Sequence, residues 1–397
     1  MRFEKYESYK DSGLEWLGDI PSEWEVKRVK DTFRYFGSGS TPLTTNMKYY
    51  DDSTIPWLNT TDIKNNIVNN TKYKVTELAK NDYSLKIYPV NSLAIGMYGQ
   101  GETRGNVALL NIKVATNQNA GIMYKFSKSS CKFIFWWFIG RKTHIRQIGN
   151  VAIIPNLNKD IVRNLFISLP PLKTQTKIAL YLDTQTQKID KEIKLLEEKS
   201  LKYKELKQTL INETVLRGLD KSVKFETKRL KDILYLSSGE MKSKKEDGLF
   251  NLFGANGIIG KTDNFNINKK HIIIGRVGSS GTINEADAKS WISDNALIVH
   301  IKKSLSFYKF IYYILISLNL IKFSTSNAQP LITATTIKNI KISLPPLKEQ
   351  KEIANFLDEK TQKIDAITKT ITTKITFLKE FRKTLINDTV TGKIKVK

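Results

Sequence analysis

Residues able to do covalent or metal chemistry are few in this chain and do not converge. His144, His271 and His300 stand in unrelated contexts, and the single cysteine, Cys131, supplies neither an intramolecular disulfide nor the ligand spacing of a zinc site. No Gly-rich loop ends in Lys followed by Ser or Thr, so the phosphate cradle of an NTPase is missing. GQGETRG at residues 99–105 lacks the glycine spacing and the strand-then-helix setting of a dinucleotide fingerprint and reads as a turn. Glu23, Glu25 and Lys27 alternate in charge, as an exposed strand does, rather than gathering as an acidic cluster.

The polar chemistry that remains sits on loops. Residues 24–168 offer Gln100, Arg104, Asn117, Gln118 and Asn119; the later segment offers Asn256, Lys261, Arg276, Asn295, Asn327 and Gln329. Singly, each serves as a turn former or a core hydrogen-bonder. As a set they match the edges of bases: an Arg fork donates to guanine O6 and N7, and Asn or Gln pairs with adenine N6 and N7. The charge balance supplies the matching partner. Lys+Arg 64 against Asp+Glu 39 gives a net charge of +25, which points to a polyanion and most often to nucleic acid. Twin LPPL motifs invite comparison with the catalytic tetrapeptide of amino-methyltransferases. Leucine flanks both sides here, so no polar group is present to hold a target amine.

Two long helices must position those loops. Residues 167–215 open ISLPPLKTQTKIALYLDTQTQKID and close TLINETV, and residues 342–390 open ISLPPLKEQKEIANFLDEKTQKID and close TLINDTV. The copies align without a gap at an offset of 175, and roughly half of the positions are identical, which makes this an internal duplication. Pro170 and Pro171, like Pro345 and Pro346, suit a helix start because proline lacks the N–H that a first turn leaves unpaired. One apolar row then recurs every seven residues: Leu182, Ile189, Leu196, Tyr203 and Leu210, then Leu357, Ile364, Ile371, Leu378 and Leu385. The companion row is mixed, with Ala179, Thr186, Ile193 and Ser200 against Ala354, Thr361, Thr368 and Ile375. A strong row beside a small or polar one suits an intramolecular, antiparallel coiled coil of these two helices better than a free-standing homodimer.

With 397 residues the chain holds two to three domains. The expected order is an arm and first globular segment at 1–168, a long helix at 169–219, a second segment at 220–343, and the distal helix with its tail at 344–397. Both segments read as mixed α/β (α+β). The first has tight loops at Gly37, Gly39 and Pro42, strands at 55–63 and 91–99, and a helix at 132–148 with a core stripe of Phe133, Trp136, Trp137 and Ile145. The second has a Gly-rich turn system at 252–265, a buried strand running into a turn at 271–281, a strand at 291–298 and a helix at 307–321. WEVKRVKD at 24–31 returns as FETKRLKD at 225–232, so the frames of the segments repeat while their middles diverge. The most apolar windows, 133–140 and 310–321, are too short to span a bilayer, and the expectation is a soluble, cytoplasmic protein.

YKDSGLEWLGDIP with WEVKRVKD, LPPLKEQKEIANFLD with KID, ATNQNAG, GANGIIGKTDNF, IIIGRVGSSG and WISDNALIV together resemble the specificity subunits of type I restriction-modification enzymes. The resemblance covers nearly the whole chain, and the repeated helix motif is its most specific part. It implies two target-recognition domains on a bipartite, asymmetric double-stranded DNA target, held apart by the paired helices in a pseudo-two-fold arrangement. It implies two modification (methyltransferase) subunits that dock on the helical region and methylate adenine N6, and restriction/translocase subunits that move and cleave DNA. S-adenosylmethionine, ATP and Mg are then expected on those partners only, with no catalysis, cofactor, metal or membrane contact on this chain. The family's usual Glu-Gln pair is kept as Glu349 and Gln350, while the first helix has KTQTKIA, so the two docking faces are expected to differ there. A helix of about 45 residues is roughly 68 Å long, which suits half-sites separated by one or more DNA turns of roughly 34 Å. A coiled-coil scaffold that ignores DNA is the other reading, and it has no need of the charge.

Overall fold

The computed structural model describes residues 4–98, 103–126, 129–148, 157–302, 304–325 and 330–396. It divides into two compact units, Met1–Leu195 with Lys374–Lys397, and Leu196–Thr373. Only the first unit is made of two stretches of sequence, and each unit takes part of both long helices.

The chain starts with a hairpin of β1 (Tyr9–Asp11) and β2 (Asp19–Pro21), then β3 (Glu25–Arg28) and β4 (Phe33–Gly37). There follow β5 (Ile55–Leu58), β6 (Asn66–Val68), β7 (Tyr73–Val75), α1 (Glu77–Asp82), β8 (Ser92–Gly96), β9 (Val107–Leu110), β10 (Ala115–Thr116) and β11 (Ala120–Phe126). The aromatic helix α2 (Cys131–Ile148), α3 (Lys159–Asn164) and β12 (Phe166–Leu169) lead into α4 (Leu172–Arg217). The second unit adds β13 (Glu226–Arg229), α5 (Leu230–Ile233), β14 (Leu234–Ser238), β15 (Phe250–Gly254), β16 (Gly257–Thr262), β17 (His271–Gly275), β18 (Ile283–Ala286), β19 (Trp291–Ile292) and β20 (Ala296–Ile301). The chain ends with α6 (Tyr308–Ser317), α7 (Ala334–Lys338), β21 (Lys341–Leu344) and α8 (Leu347–Val390), which from Lys374 onward belongs to the first unit.

The middles that diverge in sequence share a topology. The main sheet runs β4-β11-β8-β9-β6 in the first unit and β14-β20-β17-β18 in the second. The smaller sheets run β10-β5-β7 and β19-β15-β16, and in each the first pair is parallel. A strand core asks for apolar alternation of about the right volume rather than for particular residues, so pairing order survives where identity does not. Some elements differ from their expected form. Residues 55–63 keep a strand only to Leu58 and then turn into a 3-10 helix at Thr60–Asp62. Residues 291–298 form two strands, because Ala296 N turns back onto Ser293 O at 3.1 Å. The helix expected to reach 321 stops at Ser317, and Asn319 takes a left-handed φ of 48° before a short 3-10 turn.

The frame repeats down to single atoms. β3 pairs with β12 and β13 with β21, which explains why WEVKRVKD and FETKRLKD resemble each other. Asp31 and Asp232 cap the turns that follow, accepting from Arg28 N at 3.0 Å and Arg229 N at 2.7 Å. The aromatic helices dock on the long helices by one pattern. Asp183 accepts from Trp136 Nε1 and Lys132 Nζ, both at 2.9 Å, while the residue aligned with it, Asp358, accepts from Tyr313 OH at 2.6 Å with Lys309 Nζ at 3.9 Å. Phe133, Trp137 and Phe138 in α2, and Phe310, Ile311 and Ile314 in α6, are buried, so the aromatic stripe is core.

The Glu-Gln pair points inward, with Glu349 4% and Gln350 1% exposed. Gln175 is the aligned partner of Gln350, so only the Glu is replaced, by Thr174. Gln175 donates to Pro170 O at 2.8 Å and accepts from Ser130 N at 2.8 Å; Gln350 donates to Pro345 O at 2.9 Å and accepts from Phe307 N at 2.8 Å. Glu349 Oε1 accepts Leu219 N at 2.7 Å, sealing the exit of α4. The helix ends are matched as well. Gly218, after α4, approaches Phe225 so closely that a Cβ would lie 2.9 Å from its ring, and Gly392, after α8, would meet Pro21 at 2.3 Å and Trp24 at 3.4 Å.

The seam leucines and isoleucines are buried, except that Leu196 and Leu210, like Tyr203, are half-buried. Within the first unit Asp190 pairs with Arg382 at 2.9 Å and Glu192 with Lys374 at 2.7 Å, an antiparallel progression. Within the second, Lys207 pairs with Asp365 at 2.7 Å. Asp190 and Asp365 are aligned residues, as are Lys207 and Arg382, so the same ion pair forms in each unit with the helices exchanging roles. These pairs are exposed and weak, about 0 to 1 kcal/mol each, and the apolar rows supply the cohesion.

Candidate nucleic-acid interface

In each unit three loops meet at one end of the main sheet. Gly96 and Gly275 end equivalent strands, and each accepts a main-chain bond from a glycine at positive φ, Gly105 N at 2.9 Å and Gly281 N at 2.8 Å. The residues that follow those strands are Met97 and Arg276. Their amides donate to Asn119 O at 3.0 Å and Asn295 O at 2.8 Å, and their carbonyls accept from Leu157 N at 2.8 Å and Ile332 N at 3.1 Å. A third loop closes through Gly39, whose N–H donates to Asn117 O at 3.2 Å, and through Gly239, whose N–H donates to Ala296 O at 3.1 Å. Both glycines lie where no side chain fits: a Cβ would stand 1.7 Å from Thr116 O and 2.2 Å from Ser293 O.

Within this frame the first unit carries a carboxamide array. Asn117 is buried, donates from Nδ2 to Asn59 Oδ1 at 2.7 Å, and accepts Asn119 N at 3.0 Å through its own Oδ1. Gln118, exposed at the tip, accepts from Thr41 Oγ1 at 2.7 Å through its Oε1. Arg104 is a correction to the surface-reader expectation. It is 6% exposed and donates to Arg146 O at 3.4 Å, so its guanidinium braces the end of α2.

In the second unit Asn256, Arg276 and Asn295 come together. Asn256 occupies the exposed two-residue turn between β15 and β16, and that turn abuts the end of β17, since a Cβ on Gly275 would lie 2.4 Å from Ala255 O. Arg276 is half-buried and Asn295 exposed. Lys261 lies apart, paired with Asn251 at the far end of the hairpin, where its carbonyl accepts Lys245 N. Gln100, Asn327 and Gln329 lie outside the described residues.

The rim also holds residues outside the set singled out by type. Trp291 donates from Nε1 to Glu240 O at 2.8 Å beneath Lys242, whose Nζ is 4.6 Å from the ring centroid. The lysine run after Gly239 was the available clue. Away from the rim, His271 and His300, unrelated in sequence, meet edge to face from neighbouring strands with centroids 5.2 Å apart. Burial, with the charges of His271 and Lys269, holds His300 below the usual imidazole range. Burial pushes the Cys131 thiol up to about 12, which keeps it protonated. Among the described residues no group of three His, Cys, Asp or Glu could hold a metal, and no helix is long and apolar enough to cross a membrane.

A main-chain scaffold that fixes loop geometry while side chains differ is the arrangement of a sequence reader. Comparison with known proteins places it: the family described as "Type I restriction modification DNA specificity domain" matches residues 21–198 and 222–376, and the chain belongs to that family of DNA target-recognition proteins. The EcoprrI specificity subunit of Escherichia coli is 23% identical over 356 residues, covering 84% of this chain and 86% of that protein. The MjaVIII specificity subunit of Methanocaldococcus jannaschii is 23% identical over 453 aligned positions, covering 100% of this chain and 98% of that protein. The fold matches a solved structure described as "Structural basis underlying complex assembly and conformational transition of the type I R-M system", with TM-score 0.75 at 17% identity over 94% of this chain and 98% of the other. It also matches the HsdS subunit of Thermoanaerobacter tengcongensis, with TM-score 0.57 at 17% identity over 94% and 98%.

Proposed function

We propose that the chain reads a bipartite, asymmetric double-stranded DNA target, one half-site per unit, and carries no catalysis of its own. The observation behind this is the same three-loop frame in each unit, bearing exposed Gln118 in one, where Met97 is buried, and Asn256, Arg276 and Asn295 in the other. Equal frames suit two half-sites, and unequal side chains suit different bases in each. In this reading two modification subunits, with S-adenosylmethionine, methylate adenine N6, and restriction/translocase subunits use ATP and Mg. Replacing residues 24–168 by the matching segment of a relative should change one half of the methylated motif, as mapped by N6-methyladenine sequencing. A change in both halves contradicts one half-site per unit. The chain alone, incubated with S-adenosylmethionine and target DNA, should transfer no methyl group until a modification subunit is added.

A further inference from the structure

Both units stack rings across the main sheet, and the first sets three cations against its pair. Tyr35 on β4 faces Tyr124 on β11 at 5.3 Å and 22°, with Tyr88 edge-on to Tyr124 at 5.5 Å and 69°. Tyr235 on β14 faces His300 on β20 at 4.3 Å and 6°, with His271 edge-on at 5.2 Å and 73°. Cross-strand ring pairs stabilise a sheet by themselves, so the second unit serves as the internal control. Among the described residues no Lys or Arg lies over the Tyr235 ring, and Lys269 is the cation whose charge reaches His300. In the first unit Arg34 and Lys125 lie 5.4 and 5.3 Å from the Tyr35 centroid, and Lys86 Nζ lies 5.0 Å from that of Tyr124 while donating to its hydroxyl.

All three cations are exposed, and no carboxylate among the described residues pairs with any of them. Ring faces restrain long side chains that would otherwise wander, and a fixed set of cations without internal anions is complementary to an external one. The set is close to the reading loops. Tyr35 stands four residues before Gly39, which bonds to Asn117 O. At about 3.3 Å per extended residue that is roughly 13 Å, or about four base-pair steps of 3.4 Å. We propose that Arg34, Lys86 and Lys125, held on the Tyr35–Tyr124 pair, grip the phosphodiester backbone of the duplex just outside one half-site. The contact positions the first unit without reading sequence, and among the described residues the second unit sets no such trio of cations on its ring pair. It rests on the DNA-recognition reading above.

The test is the salt dependence of DNA binding by the full chain in its native complex. Converting Arg34, Lys86 and Lys125 together to Gln should lower the slope of log affinity against log salt by about 2.7, at about 0.9 per lost phosphate contact. Affinity should fall equally on target and scrambled duplexes, with the methylated motif unchanged. Trimming the flank on one side of the target to fewer than about four base pairs should lower the parent's slope by the same amount, while trimming the other side should not; this arm needs no variant to fold. The charge-keeping trio Arg34→Lys, Lys86→Arg and Lys125→Arg should retain the slope. An unchanged slope in the Gln variant and the trimmed duplex overturns the backbone grip, and so does an altered motif. If the parent complex cannot distinguish target from scrambled DNA, the DNA-recognition reading fails instead.

Discussion

Gln175→Leu isolates the clamp that seats the aromatic helix on the long helix. Gln175 is 1% exposed, and its carboxamide satisfies one donor, Ser130 N, and one acceptor, Pro170 O, each at 2.8 Å. Leucine fills a similar volume but pairs with neither group. A buried polar group stripped of its partner costs about 1 to 3 kcal/mol, so the pair should cost about 2 to 4 kcal/mol, with Ser130 only partly buried. Ser130 starts α2, accepting Ile134 N at 3.1 Å, so the loss should concentrate in that helix's first turns. Hydrogen exchange resolves this where a single melting curve for two units does not. Amides of residues 133–138 should lose at least about 30-fold in protection, the equivalent of about 2 kcal/mol, while those of 310–315 stay as in the parent. Gln350→Leu should do the reverse. Gln175→Glu refines the test, because one oxygen can still accept from Ser130 N while the other must carry a proton to donate to Pro170 O. Its folded pKa is then raised above the ordinary value of about 4.3, so stability is fully present below that pH and falls as pH rises through the raised value. Unchanged exchange in α2, or equal loosening of α2 and α6, would refute the clamp.

Two further outcomes follow from where single side chains lie. In the native complex Arg276→Ala should relax discrimination at one base position by about 1 to 3 kcal/mol, read from methylation of single-base variants, whereas Arg104→Ala should lower the melting temperature and leave the motif intact. A changed motif from Arg104→Ala would contradict its placement against Arg146 O. Because His300 is held below its ordinary value of 6.5, chiefly by burial, its contribution to folding is fully present above that pH and declines as pH falls through the lowered value. His300→Phe keeps the ring on Tyr235 and should flatten the acid side of the pH–melting profile; an acid limb as steep as the parent's would show that other groups cause it.

The legible parts of the fold were those set by periodicity and repetition. A seven-residue row announces a helix of this length whatever its partner, and an ungapped repeat announces a second copy, so α4 and α8 were readable from end to end. The strand middles were not, since apolar alternation gives no pairing order, and the matching of β8 with β17 or β11 with β20 rests on contacts between residues far apart in sequence. The same limit governed the site. Asn256, Arg276 and Asn295 could be singled out by type, but only the close approach of Gly275 to Ala255 brings them together. Arg104 has the same type and a similar loop, yet it is buried because the residue before a closing glycine turns inward; Ser280, before Gly281, is buried likewise. Tyr35 and Tyr124 lie 89 positions apart and become partners only through strand register.

Met97 and Arg276 show how one frame accommodates different targets. Each follows the terminal glycine of an equivalent strand, and each peptide is held on both sides by main-chain bonds, to Asn119 O and Leu157 N in one unit and to Asn295 O and Ile332 N in the other. No bond in that set involves a side chain, so a thioether and a guanidinium occupy the same backbone position without disturbing it. The helices and their clamps are the opposite case. Gln175 and Gln350, Asp183 and Asp358 act through their side-chain atoms, so a change of residue there moves or loosens the whole unit. The requirement for identity thus falls on the frame, and the freedom to differ falls on the loop tips, which is the division that a protein recognising two unlike half-sites through one duplicated scaffold needs.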